Sequence, residues 1–226
     1  MKKWSELPQN MQSDAVREYY DILNSKTVSL ILKRLFDIIV SSVLIVICSP
    51  IMLILAICIK IDSKGPVMFR QRRVTTYNRV FRIFKFRTMV NDAEKKGTQV
   101  TTNNDPRVTK VGKLIRGCRL DELPQLFNVF LGDMTFVGTR PEVEKYVAAY
   151  TDEMMATLLL PAGITSVASI KYKDEERLLE AAENTDEVYI NEVLPEKMKY
   201  NLKALKNFSF FGDIKIMFQT VLAVLK

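Results

Sequence analysis

The chain has 226 residues, of which 48% are hydrophobic, enough for one medium domain and an appendage. Its 33 basic residues exceed its 26 acidic ones, and the net charge of +7 suits an anionic membrane surface, nucleic acid or phosphate-bearing small molecules. It has no histidine, and Cys48, Cys58 and Cys118 form no CxxC pair, which excludes histidine-based triads, thiolate metal sites and a disulfide framework and points to a reducing compartment.

Catalysis, if present, must therefore use carboxylates, Lys, Arg, Tyr or a hard cation on oxygen ligands. The absence of GxxxxGK[ST] and GxGxxG runs argues against ordinary P-loop and Rossmann folds.

Residues 1–31 read as a polar helical extension. "SDAVREYYDILNS" sets Val16, Tyr19, Tyr20 and Leu23 at helical spacing behind a Ser13 cap. Lys33, Arg34 and Asp37 follow one turn apart, an anchor at the membrane interface in which Asp37 can pair with either base.

Residues 38–59 carry no charge over 22 positions, the length of a membrane-crossing helix. Hydropathy alone gives an ordinary spanning helix. Two features favour a helix that enters, breaks and returns. Ser49-Pro50 sits mid-run, where proline removes a donor and clashes with the preceding turn. Both flanks are basic, with Lys33 and Arg34 before and Lys60, Lys64, Arg70, Arg72 and Arg73 after, so both prefer the cytoplasmic side. The Ser49, Ser41 or Ser42 hydroxyls can bond the freed carbonyls.

"GPVMFRQRRV" and "RVFRIFKFRTM" around "TTYN" predict a β-hairpin. Alternation places Ile83, Lys85 and Arg87 on one face, giving either a small cationic surface or a solvated strand face. "NDPRVTKVGKLIRGC" predicts a loop and a helix ended by Gly117. A helix over 122–131 is expected next, with Asp121 as N-cap, Pro124 in its first turn and an apolar stripe of Leu123, Leu126, Phe127 and Phe130. "GDMTFVGTRPE" reads as a tight loop carrying Arg140, "LLLPAGITSVASI" as a buried apolar segment, and 174–206 as charged helix. The Phe-rich end, "FSFFGDIKIMFQTVLAVLK", either lies in the membrane interface or caps the core.

Adjacent Asp121 and Glu122 lie near Arg116 and Arg119, with Lys85, Arg87 and Arg140 able to converge from other loops. A carboxylate in that field can bind a divalent cation or attack phosphorus, but position alone equally fits a helix cap and a first-turn charge.

The runs "KRLFDIIVSSVLIVICSPIMLILAICIKI", "FKFRTM", "NDPRVTKVGKLIRGCRLDELPQLFNVFLGDMTFVGTRPE" and "LPAGITSVASI", in that order, resemble the bacterial polyprenyl-phosphate phosphoglycosyl transferases of the monotopic type, the bacterial sugar transferases. The likeness covers residues 32 to about 170, and "NFSFFGDIKIMFQTV" fits too. The resemblance implies an enzyme in which Asp121 attacks the β-phosphorus of a UDP-sugar, UMP leaves, and a membrane polyprenyl phosphate such as undecaprenyl phosphate takes the sugar phosphate. It implies Glu122 as partner, Mg²⁺ (or Mn²⁺) held by Asp121 and Glu122, and Lys85, Arg87, Arg116 and Arg140 on phosphates. It also implies a re-entrant helix with a Ser49-Pro50 break, on the cytoplasmic face of a bacterial inner membrane.

Two departures from the family pattern leave the sugar open. Thr139 stands where many members have Pro, and "PAGITSVASIKYK" replaces a "PGxTGWAQVNGR" run, with Lys171 or Lys173 as the nearest charge. The expected fold is α+β, mostly helical with a small hairpin, divided at 1–31, 32–62 and 63–226. A minimal form without a multi-span N-terminal region is expected, and a homo-oligomer is admissible. A catalytically silent membrane scaffold is the alternative. Nucleic acid is not an expected partner, because the basic residues do not gather into one aromatic-bearing stripe.

Overall fold

The computed structural model describes residues 1–91, 105–172 and 184–224. It is mostly helical, with two small sheets. Helix α1, Asp14–Ser25, is capped by the Ser13 hydroxyl accepting from Val16 N. Its stripe of Val16, Tyr19, Tyr20 and Leu23 is buried against Met155, Leu158, Leu159, Leu205 and Phe208. The first 25 residues are thus built into a core rather than appended to one.

Helix α2, Thr27–Asp62, runs for 36 residues with Pro50 inside it. Among the described residues it is the one helix long and apolar enough to cross a membrane. Proline 50 cannot donate to the Val46 carbonyl four residues back, and the Ser49 hydroxyl bonds that carbonyl instead at 2.8 Å. The middle of α2 exposes Val43, Val46, Ile47, Ile51, Leu53, Ile54 and Ile57. Its N-terminal half turns Lys33, Asp37 and Ser41 inward, and its C-terminal half Met52 and Ile59.

The hairpin forms as expected: β1, Met68–Thr75, pairs antiparallel with β2, Arg79–Phe86, in a register that sets Phe69 opposite Lys85. Tyr77 and Asn78 take positive φ values of 58° and 57° in the connection. Helix α3, Lys110–Gly117, is capped by the Thr109 hydroxyl accepting from Gly112 N, and residues Leu120–Glu122 form a 3-10 turn. Helix α4, Gln125–Leu131, starts three residues later than expected, with Pro124 at its N-cap. It buries Gln125, Leu126, Asn128 and Val129, leaving Phe127 and Phe130 exposed. The stripe expected on Leu123, Leu126, Phe127 and Phe130 is therefore wrong for Phe127 and Phe130. An apolar side chain can face a non-aqueous surround as readily as a core, and sequence cannot separate the two.

The segment expected to be a tight loop contains a strand. β3, Met134–Val137, pairs in parallel with β4, Ala162–Thr165. All four β3 residues are buried, so no polar alternation marks it. Asp37 of α2 serves this strand: its carboxylate accepts from Thr135 Oγ1 at 2.7 Å and from Phe136 N at 3.2 Å. The expected pairing of Asp37 with Lys33 or Arg34 is not made; Lys33 instead bonds the Val137 carbonyl at 2.7 Å and Asp213.

Short helices α5, Glu144–Val147, and α6, Val167–Lys171, follow β3 and β4. Helix α7, Thr185–Val188, a π turn over Tyr189–Val193 and α8, Leu194–Lys206, form one near-continuous rod. The expected helix over 174–183 lies outside the described residues. Helix α9, Phe210–Val224, caps the core, one of the two readings expected for it, and keeps an exposed apolar face. Ile216 and Met217 pack on the β3 core, while Phe211, Phe218, Val221 and Leu222 are exposed.

Candidate active site

Lys85 comes from β2, the acidic pair from the 3-10 turn between α3 and α4, and Arg140 from the loop after β3. The turn has a local cause. Arg119 takes a left-handed conformation, φ 53°, ending the α3 helical path, and Pro124 starts α4 without an N–H. A non-glycine residue in that region costs on the order of 1 kcal/mol, a strain commonly held at functional sites. Asp121 is thus not the N-cap of α4; it sits one turn ahead of it, inside the strained segment.

Glu122 Oε1 accepts from Lys85 Nζ at 2.9 Å and from Arg140 Nη2 at 3.0 Å. Burial opposes the charge on Glu122, but Arg140 and Lys85 together outweigh it and hold the carboxyl well below the usual range. Burial draws the Lys85 ammonium below its ordinary value, against the pull of Glu122. Asp121 is different. Burial raises its carboxyl and the Glu122 charge adds to this, while Lys85 and Arg116 act the other way. No other side chain among the described residues donates a hydrogen bond to Asp121; its own backbone N–H does.

Arg116, in the last turn of α3, reaches Asp121 and Asp105 by charge, but its guanidinium forms no hydrogen bond or ion pair among the described residues. Arg87 is not brought to this site. It is 5% exposed, and its guanidinium donates to Ser63 O at 2.7 Å, Ser63 Oγ at 2.9 Å and Lys64 O at 2.9 Å. It caps the C-terminal end of α2 rather than sharing a cationic surface with Lys85; β2 ends at Phe86, and the alternation that put the two on one face stops there. Ser49 and Pro50 lie on α2 among its exposed residues. Lys171 stacks its ammonium over Tyr200, 5.6 Å from the ring centre, and Lys173 lies outside the described residues.

Asn128 is a residue the sequence reading missed. Fully buried, it accepts from Phe84 N at 2.8 Å and donates to Arg82 O at 3.0 Å. It clamps α4 to β2 and so fixes the distance from the acidic pair to Lys85. Its signal was a polar amide on the helix face that should have been apolar. Gln125, 1% exposed, is also buried, and its Nε2 has no partner among the described residues.

The donor set suits a hard cation: two adjacent carboxylates, no histidine or thiolate, and no larger cluster of ligating side chains among the described residues. Mg²⁺ needs little more, because it keeps waters and shares substrate phosphates. The whole is a pair of carboxylates rimmed by Lys85, Arg140 and Arg116, next to an apolar helix.

The model of the family described as bacterial sugar transferase matches residues 28–226. The chain belongs to that family. It is 39% identical over 197 residues to the UDP-N-acetylgalactosamine-undecaprenyl-phosphate N-acetylgalactosaminephosphotransferase of Aeromonas hydrophila, covering 86% of this chain and 44% of that one. It is 39% identical over 199 residues to the UDP-glucose:undecaprenyl-phosphate glucose-1-phosphate transferase of Klebsiella pneumoniae, covering 86% and 40%. Against the uncharacterized sugar transferase EpsL of Bacillus subtilis it is 35% identical over 198 residues, covering 87% and 88%. The chain thus spans less than half the length of the first two.

Proposed function

We propose that this protein moves a sugar 1-phosphate from a UDP-sugar to undecaprenyl phosphate or a similar polyprenyl phosphate, releasing UMP, as a membrane-starting step of bacterial glycoconjugate synthesis. The observation that carries the reading is the division of labour in the acidic pair. Glu122 is committed to Lys85 and Arg140, and Asp121 beside it, bonded by its own backbone N–H but by no other side chain among the described residues, is more basic than an ordinary aspartate.

In the first step an Asp121 carboxylate oxygen forms a bond to the β-phosphorus of the UDP-sugar. The bond from that phosphorus to the bridging oxygen breaks, and UMP leaves with the electron pair. In the second, a phosphate oxygen of the lipid attacks the same phosphorus and returns Asp121 to its carboxylate. Lys85 and Arg140 hold Glu122 in place and lend positive charge to phosphate oxygens; Arg116 adds a further charge. Asp121 and Glu122 would hold Mg²⁺, or Mn²⁺ in its place, which when bound neutralises diphosphate charge.

The lipid acceptor requires a site at headgroup depth. The exposed apolar faces of α2, α4 and α9 suit an anchor in one leaflet. Both ends of α2 are also tied to the same domain: Lys33 and Arg34 bond carbonyls of β3 and α4, and Arg87 bonds those of Ser63 and Lys64. A helix with a contour of about 54 Å that crossed the bilayer would carry its ends to opposite sides. A re-entrant α2 with both ends on the cytoplasmic face meets these constraints, and the acceptor is the one named for the relatives. The experiment is UMP release by purified protein offered a panel of UDP-sugars with undecaprenyl phosphate in detergent or nanodiscs. Release with one sugar and dependence on the lipid are expected. Silence with every sugar would favour a scaffold.

A further inference from the structure

Two residues beyond Arg140, Glu142 is 6% exposed. Its Oε1 accepts from the Tyr189 hydroxyl at 2.6 Å and lies 3.6 Å from Lys197 Nζ, which itself donates to Tyr189 Oη at 2.9 Å. Lys197 and Tyr189 are 4% and 3% exposed. Arg73 approaches the other carboxylate oxygen to 4.0 Å and donates to the Pro141 carbonyl at 3.1 Å. The Glu142 carbonyl accepts from Val74 N at 2.9 Å. Tyr189 opens the five-residue π turn, a helix defect that commonly marks functional positions.

Buried ion pairs of this kind often return less stability than apolar residues of the same volume, so their retention calls for a geometric reason. The loop itself supplies one. Its start is pinned to the β3–β4 sheet, with Gly138 N bonding Thr165 O at 2.9 Å and Gly163 N bonding Thr139 O at 2.8 Å. A Cβ on Gly163 would come within 2.2 Å of Gly138, so that junction tolerates no side chain. Glu142 pins the far end to β1 and to the rod of α7 and α8. Arg140 lies between the pins, with its guanidinium on Glu122.

We propose that Glu142, held by Tyr189 and Lys197, is a positioning residue that sets Arg140 on Glu122 and thereby the phosphate-binding geometry of the site. This rests on the phosphotransferase reading above. The test is a double-mutant cycle in the full chain: Glu142→Gln and Tyr189→Phe, each made with Arg140 intact and with Arg140→Lys. UDP affinity in Mg²⁺ and kcat/KM for UMP release are both measured. With Arg140 intact each substitution should cost about 10- to 100-fold, as misplacing an oriented group does. On the Arg140→Lys background the cost should shrink to less than about 3-fold. Equal losses on both backgrounds would mean a structural role alone and overturn the proposal, as would no loss with Arg140 intact. Tyr189→Phe removes one hydroxyl and carries the test alone if Glu142→Gln fails to fold. Wild-type protein that binds UDP but releases no UMP with any UDP-sugar would sink the parent reading, while the UDP cycle would still decide the role of Glu142.

Discussion

Asp121 and Glu122 are neighbours in the chain with opposite electrostatic fates. Asp121 is raised, so the folded state binds its proton more tightly than the unfolded state does. The stability it contributes is present below the ordinary aspartate value and lost as pH rises through the raised one; at neutral pH its charge is a cost. Asp121→Asn should therefore abolish turnover and the covalent sugar-phosphate adduct, seen by intact mass after an acid quench without lipid, while leaving Tm at pH 7 equal to or above wild type. Glu122 is depressed, so its contribution is present above the ordinary glutamate value and lost as pH falls through the lowered one. Glu122→Gln should lower stability by about 1–3 kcal/mol, because Lys85 and Arg140 lose their anion. A Tm order reversed between the two variants would contradict this. An adduct that persists in Asp121→Asn would place the nucleophile elsewhere. Arg87 offers a third contrast. Arg87→Lys cannot reach three oxygens of Ser63 and Lys64 at once, so it should lower Tm while UDP affinity stays within about threefold of wild type. A large loss of UDP affinity at unchanged Tm would return Arg87 to the phosphate site.

At the scale of elements, α2 is the decisive one. Its uncharged run, its proline and its basic flanks were all visible in the sequence. The burial of Lys33, Asp37 and Ser41 against the domain was not, since it depends on where β3 and α4 come to lie. With Cys48, Cys58 and Cys118 removed, Val28→Cys and Lys64→Cys should both resist an impermeant thiol reagent in whole cells and both react after lysis. Labelling of position 28 alone would mean a spanning helix. Ser49→Ala leaves the Val46 carbonyl without its hydroxyl partner and should lower Tm by a small amount. The α4 start was missed by three residues because Asp121 looks like an N-cap to any rule based on residue type. Only the left-handed backbone of Arg119 shows that the chain spends those residues on a 3-10 turn.

For the whole molecule, the absence of histidine bears directly on the metal. Oxygen ligands alone favour Mg²⁺ or Mn²⁺ over zinc. Turnover should vanish in excess EDTA, return with Mg²⁺ and ignore a zinc-selective chelator; full activity in EDTA would refute the assignment. The N-terminal 25 residues also change meaning at this scale. Taken as a polar extension, they look dispensable. In the fold, Tyr19 donates to Glu153 and Leu23 is fully buried, so they form part of the wall behind the hairpin.

By itself the sequence determined the helical stripe of α1, the hairpin, the apolar run and the identity of the acidic pair, because each is written in residues close along the chain, through periodicity, charge or a dense motif. The tertiary structure decided which cations meet those acids. Lys85, Arg140 and Glu122 converge from β2, a loop and a 3-10 turn that lie up to 55 positions apart, and Arg87, two residues from Lys85, is turned away to cap α2. The four-residue β3 and the Glu142 cluster were hidden for the same reason. Their signals are contacts between distant segments, and burial removes the alternation by which a strand or a buried charge is read from sequence.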